Sequence, residues 1–322
     1  MSERTTTPQP TSSPTGPRTG SAPRDPLEPR VGLRDGAGSL WKRGTTFAIT
    51  GVNRGLDRLP LSRLVHRRVL RRLRVSDHRV VLARSAPGLD GFRLVFVSDL
   101  HLGSFFGARE LDRVFDTVAS LNPDLVCLGG DLINSRLREL EHLADVRGKL
   151  DPPFGVVAVP GNHDRFYVAS DDAWEKRVAE LDIDLLSNRG RRVERHGSSM
   201  WLAGVDDLEE GRPHLGAALD GCGDDESVVL LSHHPDLFPY AARCGVELQL
   251  SGHTHGGQIR LFGRALITHS ELGFDAGWFA QRNSRLYVSR GVGVTGLPLR
   301  WNCDPEIVCV ELRNDVAVKT HT

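Results

Sequence analysis

The sequence predicts an α/β fold in which a β-sheet is covered by helices and a second sheet occupies the later half of the chain. Three observations support it. From Val80 onward, short apolar runs of strand length alternate with segments of helical periodicity, and that alternation marks a sheet clothed by helices. The later half is richer in strand-like runs than in helical ones. The 322 residues, 39% hydrophobic and 25% charged, suffice for one large domain or two ordinary ones with a substantial core.

In chain order, residues 1–38 are rich in Thr, Ser, Pro, Gly and Arg and lack aliphatic runs. Such a segment cannot bury enough surface to offset its ordering entropy, so a disordered tail is expected. Residues 39–76 form a basic segment. Within it, Leu61, Val65, Val69 and Leu73 recur every four residues while Arg63, Arg67, Arg71 and Arg74 take another face. That pattern predicts a basic amphipathic helix over 61–74, which either packs on the main domain or lies on an anionic membrane surface. The main domain is expected at 77–322. Its candidate strands are Val80–Arg84, Arg93–Ser98, Asp124–Leu128, Val156–Val159, Trp201–Val205, Val228–Ser232, Glu247–Leu250, Arg285–Ser289 and Ile307–Leu312. The clearest helix has Leu111, Val114, Phe115 and Val118 at helical spacing. No repeat of fixed period is visible.

Charge narrows the function. Formal net charge is zero, yet residues 1–75 carry 15 Lys and Arg against 5 Asp and Glu, and the remainder carries 26 against 36. An acidic main domain argues against a nucleic-acid partner and suits one that commits carboxylates to metal. The five cysteines (Cys127, Cys222, Cys244, Cys303 and Cys309) form no C-x-x-C pair, which fits free thiols in a reducing compartment. No apolar run reaches the length of a membrane span, and no apolar stretch follows a charged start as in a secretory signal. A cytoplasmic protein is expected, with peripheral contact at the inner face of the plasma membrane through 61–74 if that helix binds lipid.

Five short motifs share one placement, in which an apolar strand ends and polar ligand-type residues follow. Asp99-Leu100-His101 follows LVFVS, Gly130-Asp131 follows LVCLG, and Gly161-Asn162-His163-Asp164 follows VVAVP. Ser232-His233 follows VVLL, and Gly252-His253-Thr254-His255 follows LQLS. Open α/β sheets bind ligands beyond the carboxyl ends of their strands, so these ends predict one convergent site. Imidazole and carboxylate suit manganese, iron or zinc, and thiolates are absent. On an extended segment residues i and i+2 share a face, so Asp99 and His101 are expected on one side, as are His253 and His255. One carboxylate can bridge two ions and activate a water between them. Alone, an Asp-x-His is a common loop accident and a Gly-Asn-His-Asp a common turn; the conjunction at strand ends decides. Spacing leaves His233 and His234 as alternatives, and His196, His214 and His269 read as surface or strand histidines.

DLHLG at 99–103, GD at 130–131, GNHD at 161–164, SHHPD at 232–236 and GHTHGGQ at 252–258 resemble the calcineurin-like metallophosphoesterases over roughly 80–312. LYVSRGVGVTGLPLRW and DPEIVCVEL further resemble a bacterial subgroup that includes YkuE-type and YaeI-type phosphodiesterases. The resemblance implies a four-layer αββα sandwich of two mixed sheets and two divalent or trivalent ions per chain, manganese foremost, with iron or zinc as alternatives. It implies Asp99, His101, Asp131 and His255 on the first ion, and Asp131, Asn162, His233 and His253 on the second. The family's His-x-Pro pattern selects His233 over His234. His163 would face the substrate as acid, and a metal-bridging hydroxide would attack phosphorus. The expected substrate is a phosphate-ester small molecule or a phospholipid-like one. Similar bacterial enzymes cleave the pyrophosphate of UDP-diacylglucosamine, and a binding module without turnover is the reading from another class. Many relatives carry Asp three residues after the bridging Asp, where this chain has Asn134.

Overall fold

Leu94 and Phe96 point to one side of their strand and Val95 and Val97 to the other, and all four are fully buried. A strand with both faces buried must lie between two apolar layers. The computed structural model describes residues 67–84, 86–103, 105–168, 170–296 and 298–314. The tail expected at 1–38 and the upstream part of the basic helix, 61–66, lie outside the described residues.

The strands are β1 (Arg74–Val81), β2 (Arg93–Val97), β3 (Leu125–Leu128), β4 (Val156–Ala158), β5 (Asp184–Leu185), β6 (Arg189–Arg195) and β7 (Ser198–Gly204). They continue as β8 (Ser227–Leu231), β9 (Leu248–Ser251), β10 (Arg260–Leu261), β11 (Arg264–Ala265), β12 (Gly277–Gln281), β13 (Ser284–Val288) and β14 (Glu306–Arg313). Helices α1 (Ala108–Ser120), α2 (Glu141–Ala144), α3 (Asn162–Phe166), α4 (Asp171–Ala179), α5 (Leu215–Ala218) and α6 (Phe238–Arg243) lie between them. One sheet has the order β1-β14-β2-β3-β4-β5 and the other β12-β13-β9-β8-β7-β6; β10 and β11 form a separate hairpin. Both sheets are mixed. In the first, β14 runs antiparallel to β2 while β2, β3, β4 and β5 are parallel. In the second, β7, β8, β9 and β13 are parallel, and β6 and β12 are antiparallel edges.

Side-chain alternation builds the layers. Leu94, Phe96, Leu125 and Cys127 meet Leu202, Val229, Leu231 and Leu250 between the sheets. Val95, Val97, Val126 and Leu128 turn outward to Leu111, Phe115 and Val118 of α1. Val228 and Leu230 turn outward to α5 and α6. This is the expected αββα sandwich, and each fully buried aliphatic or aromatic side chain contributes about 1.5–3 kcal/mol to it.

Two sequence expectations need correction. The helix placed over 61–74 gives way to a strand: residues 67–70 are helical, and Arg74 already begins β1. The strand expected at Val80–Arg84 is this same β1, several residues earlier. Its sequence RVSDHRVV hides the pattern, because it is an edge strand pairing β14 on one side only and its buried residues are His78 and Val80. His78 packs between Trp278 and Tyr287. The apolar stripe of the basic segment is partly used for packing: Val69 is buried against Phe105 and Val294, and Leu73 lies on the helical layer. β6 and β12 were not expected from sequence. They are sheet edges, and β6 buries only Val193 among four arginines. Among the described residues, no helix is long and apolar enough to cross a membrane.

Candidate metal centre

Because β2, β3 and β4 are adjacent parallel strands in one sheet, and β8 and β9 in the other, their carboxyl ends reach one edge of the sandwich. The five motifs follow these five strands. Backbone hydrogen bonds lock the loops together: Asp99 N–H donates to Gly130 O (3.0 Å), His101 N–H to Asp131 O (2.9 Å), and Gly252 N–H to His233 O (3.0 Å). The sheets are stitched across the site where His253 N–H donates to Asp99 Oδ1 (3.0 Å).

The loops are not extended here. Asp99, His101, Asp131, His253 and His255 all have φ between 46° and 70°, in the left-handed region. Each such conformation costs about 1–2 kcal/mol for an L-residue. The expected shared face of Asp99 and His101 therefore arises from a tightly curled backbone rather than from strand pleat. Two glycines make the curl possible. A Cβ at Gly161 would fall on Asp131 Oδ1, and one at Gly291 would stand 2.6 Å from Asp99 Cβ.

The side chains converge in two sets around Asp131. His101 Nε2 lies 2.9 Å from His255 Nε2, and His255 Nε2 lies 3.4 Å from Asp99 Oδ1. His101 Nε2 and His233 Nε2 each stand 3.4 Å from Asp131 Oδ2. On the second side His253 Nδ1 is 3.0 Å from Asn162 Oδ1. Asp131 Oδ1 accepts from His163 N–H (2.8 Å). Ligand-type atoms of Asp99, His101 and His255, of Asp99, Asp131 and His233, and of His101, Asp131 and His163 fall within 4.8 Å of one another. His233, rather than His234, reaches Asp131. His234 instead packs its ring on His253, 4.2 Å between centroids, and approaches Glu209. His269, expected at the surface, is 6.0 Å ring to ring from His253.

Burial drives His101 down to about 3 and holds His253 and His255 well below the usual imidazole range, so all three are neutral and able to ligate. Burial also lifts Asp99 to about 6. At Asp131 burial pushes upward too, but His233, His163 and His101 outweigh it and hold the carboxyl well below its ordinary value. Burial opposes protonation of His233, yet the Asp131 carboxylate prevails and raises it well above normal.

The donor set fits bound cations. His233 Nδ1 lies 2.8 Å from Gly129 O and, as the donor of that bond, leaves the Nε2 lone pair facing Asp131. His233 Nε2 is buried and has no hydrogen-bond partner. An imidazole lone pair and a carboxylate oxygen facing each other in a dry site call for a cation between them, and a metal answers the same attraction that otherwise draws a proton to His233.

Three supporting residues escaped the sequence reading. Asp164 is fully buried and accepts from the N–H groups of Leu132, Ile133 and Gly161, tying the Asp131 loop to α3; burial raises it to about 7. It lies at the end of GNHD, where an Asp reads equally well as a turn residue. Glu139 accepts from the N–H groups of Asn134, Ser135 and Arg136. Arg300 is buried behind His255: Nη1 donates to His255 O (3.4 Å) and Nη2 to Gly293 O (2.6 Å), with Nη2 3.2 Å from His255 Nδ1. Only its apolar setting, LPLRW, hinted at an inward guanidinium. Partners behind a ligand typically set metal affinity by 10–100-fold. Arg300→Lys, which cannot span the carbonyls of His255 and Gly293 with one planar fork, is therefore expected to weaken metal binding by about that factor in a chelator competition. Unchanged affinity would leave Arg300 a packing residue.

Carboxylates and neutral imidazoles gathered at the edge of an αββα sandwich define a metal-binding centre of the phosphoesterase kind. The family model for calcineurin-like phosphoesterases matches residues 92–257. The uncharacterized metallophosphoesterase YkuE of Bacillus subtilis is 32% identical over 247 residues, covering 75% of this chain and 86% of that one. A transmembrane protein with metallophosphoesterase domain from Danio rerio is 34% identical over 253 residues, 74% of this chain and 57% of the relative, so the chain spans little more than half of that relative's length. An uncharacterized metallophosphoesterase of Aquifex aeolicus is 29% identical, covering 75% and 92%. The chain belongs to the calcineurin-like phosphoesterase family, whose members are metal-dependent hydrolases of phosphoric esters.

Proposed function

We propose that this domain hydrolyses phosphoric esters at a two-ion centre. Asp99, His101, Asp131 and His255 would hold one ion, and Asp131, Asn162, His233 and His253 the other. The observation that carries this reading is Asp131 Oδ2, equidistant at 3.4 Å from a histidine of each set. Bound there, manganese, iron or zinc supplies Lewis acidity that neutralises phosphoryl oxygens and acidifies water. The chain's own residues do the rest. Asp131 stays anionic between the sets, and the buried imidazoles of His101, His253 and His255 stay neutral. His163, whose Nδ1 is 2.7 Å from Asn134 O, presents its other nitrogen to give a proton to the leaving oxygen. Arg165, near the end of α3 and paired with Asp206 at 2.7 Å, joins that helix to the loop after β7; this loop and the one after α3 would shape the substrate pocket.

Chelated protein, reloaded with Mn²⁺, is expected to turn over bis-p-nitrophenyl phosphate in proportion to metal added, saturating at two ions per chain. Two bound ions without turnover would favour a binding module, and saturation at one ion would sink the paired centre. A second reading, cleavage of the pyrophosphate of a nucleotide-linked lipid such as UDP-diacylglucosamine, is favoured by exposed apolar residues just beyond His255, among them Leu261, Phe262 and Leu266.

A further inference from the structure

The large hydrophobic side chains exposed among the described residues are Leu261, Phe262, Leu266, Ile267, Leu272, Leu299 and Trp301. None precedes residue 261, so the exposure is concentrated in two segments. Those segments are held side by side: Arg260 N–H donates to Trp301 O (2.9 Å), and Trp301 N–H to Gln258 O (2.9 Å). Scattered exposed leucines need no explanation, but a contiguous apolar patch marks a contact surface.

We propose that the β10–β11 hairpin, with Trp301 beside it, docks on an anionic phospholipid bilayer. The shape favours a bilayer over a groove-lining partner. Phe262 is at the hairpin tip, wholly exposed, followed by Gly263, and both have positive φ (51° and 78°). That turn ordinarily takes Asn-Gly or Asp-Gly, so a phenylalanine there is held in a costly conformation with its ring projecting outward. Trp301, half-exposed, suits the headgroup level, where an indole has an apolar body and a polar edge.

Charge points the same way. Arg260 and Arg264 flank the tip, and residues 259–270 contain no Asp or Glu. Val69 is buried against Val294, in the loop leading to Leu299 and Trp301, so the helical residues 67–70 sit against that loop. They bring exposed Arg67, Arg68, Arg71 and Arg72 to this side, although Arg67 also pairs with Glu110 and Arg72 with Asp304. In a domain whose net charge is negative, a cationic rim around an apolar tip matches anionic lipid.

The hairpin leaves the metal centre directly. A Cβ at Gly257, two residues after His255, would stand 2.5 Å from Ala265 Cβ, and Arg260 Nη1 donates to Gly256 O (2.9 Å). Docking by this surface would seat the site beside lipid headgroups. The surface itself does not depend on turnover, so its test reads binding.

Full-length protein is expected to co-sediment with vesicles of phosphatidylglycerol and phosphatidylcholine at low salt, and far less with pure phosphatidylcholine or at high salt. F262S/L266S is expected to lower the partition coefficient by about tenfold or more, because two buried side chains are lost. Its melting temperature should match the wild type. Three results would overturn the proposal. The wild type could fail to bind phosphatidylglycerol vesicles at low salt. F262S/L266S could bind as tightly as wild type, which would assign lipid binding to the upstream basic segment alone. The variant could convert a wild-type dimer to monomer, or melt well below wild type, without loss of vesicle binding, which would place a second copy or this chain's own upstream segment on the patch.

Discussion

Asp131→Asn is expected to abolish turnover, by about 10³-fold or more, and to reduce bound metal from two ions towards one or none. The expectation follows from which atoms change. Asp131 Oδ1 accepts the His163 N–H, and an asparagine oxygen can keep that bond. Asp131 Oδ2 faces His101 Nε2 and His233 Nε2, and here Asn places an amide NH₂, a donor with no charge, against both lone pairs. The shape is conserved and the fold should survive, so a normal melting profile with lost metal isolates the electrostatic role. Single substitutions on one side, His101→Ala or His253→Ala, are expected to lose one ion preferentially. Elemental analysis that finds two ions per chain in D131N would remove Asp131 from the bridging position.

The contrast between what the sequence foretold and what it hid follows from physical causes. β2, β3, β8 and β9 are buried on both faces, so each reads as an unbroken apolar run that composition alone exposes. β6 is an edge strand whose arginines face water or pair with acids, Arg192 with Glu226 for example, and no apolar period survives there to be read. β1 hides for the same reason, since one flank carries no partner strand. At the site, residue types and their position after strands were legible because ligands must be Asp, His or Asn and must sit where strands end. The curled backbone was not legible. Glycine advertises positive φ, but Asp99, His101, Asp131, His253 and His255 adopt it too, held there by hydrogen bonds between loops distant in sequence. Arg300 was scarcely more legible, because an arginine that donates to the His255 carbonyl from 45 residues away leaves no local signature beyond its apolar neighbours. Asn134 stands where many relatives carry Asp, yet its contact with His163 is through the main-chain carbonyl. A carbonyl acceptor is available whatever residue stands there, so the missing acidic side chain at 134 does not leave His163 untethered.

His163→Ala should keep both ions and lose about 10²–10⁴-fold in rate, the scale of a general acid. Two geometric facts make this a sharp expectation. The His163 main-chain N–H to Asp131 Oδ1 remains in the alanine variant, so the bridging carboxylate keeps its position. The ring is held by its Nδ1 against Asn134 O at 2.7 Å and packs edge-on against His101, 4.5 Å between centroids, with Tyr167 on another side at 5.1 Å. With Nδ1 engaged as donor, Nε2 is the atom left for a substrate oxygen. Asn134→Ala, which retains the carbonyl, is expected to stay within about twofold of wild type, as surface changes that remove no such contact do. The rival assignment has a structural basis, because His163 also falls within ligand range of His101 and Asp131. Metal content separates the two: a ligand takes an ion with it when it goes, and an acid does not. Leaving-group dependence gives the second measurement. An alkyl ester needs a proton on the departing oxygen and a p-nitrophenyl ester scarcely does, so the loss in H163A should be large for the former and small for the latter. Equal losses for both esters, with two ions still bound, would mean that His163 stabilises the phosphoryl group and gives no proton; loss of an ion would make it a ligand.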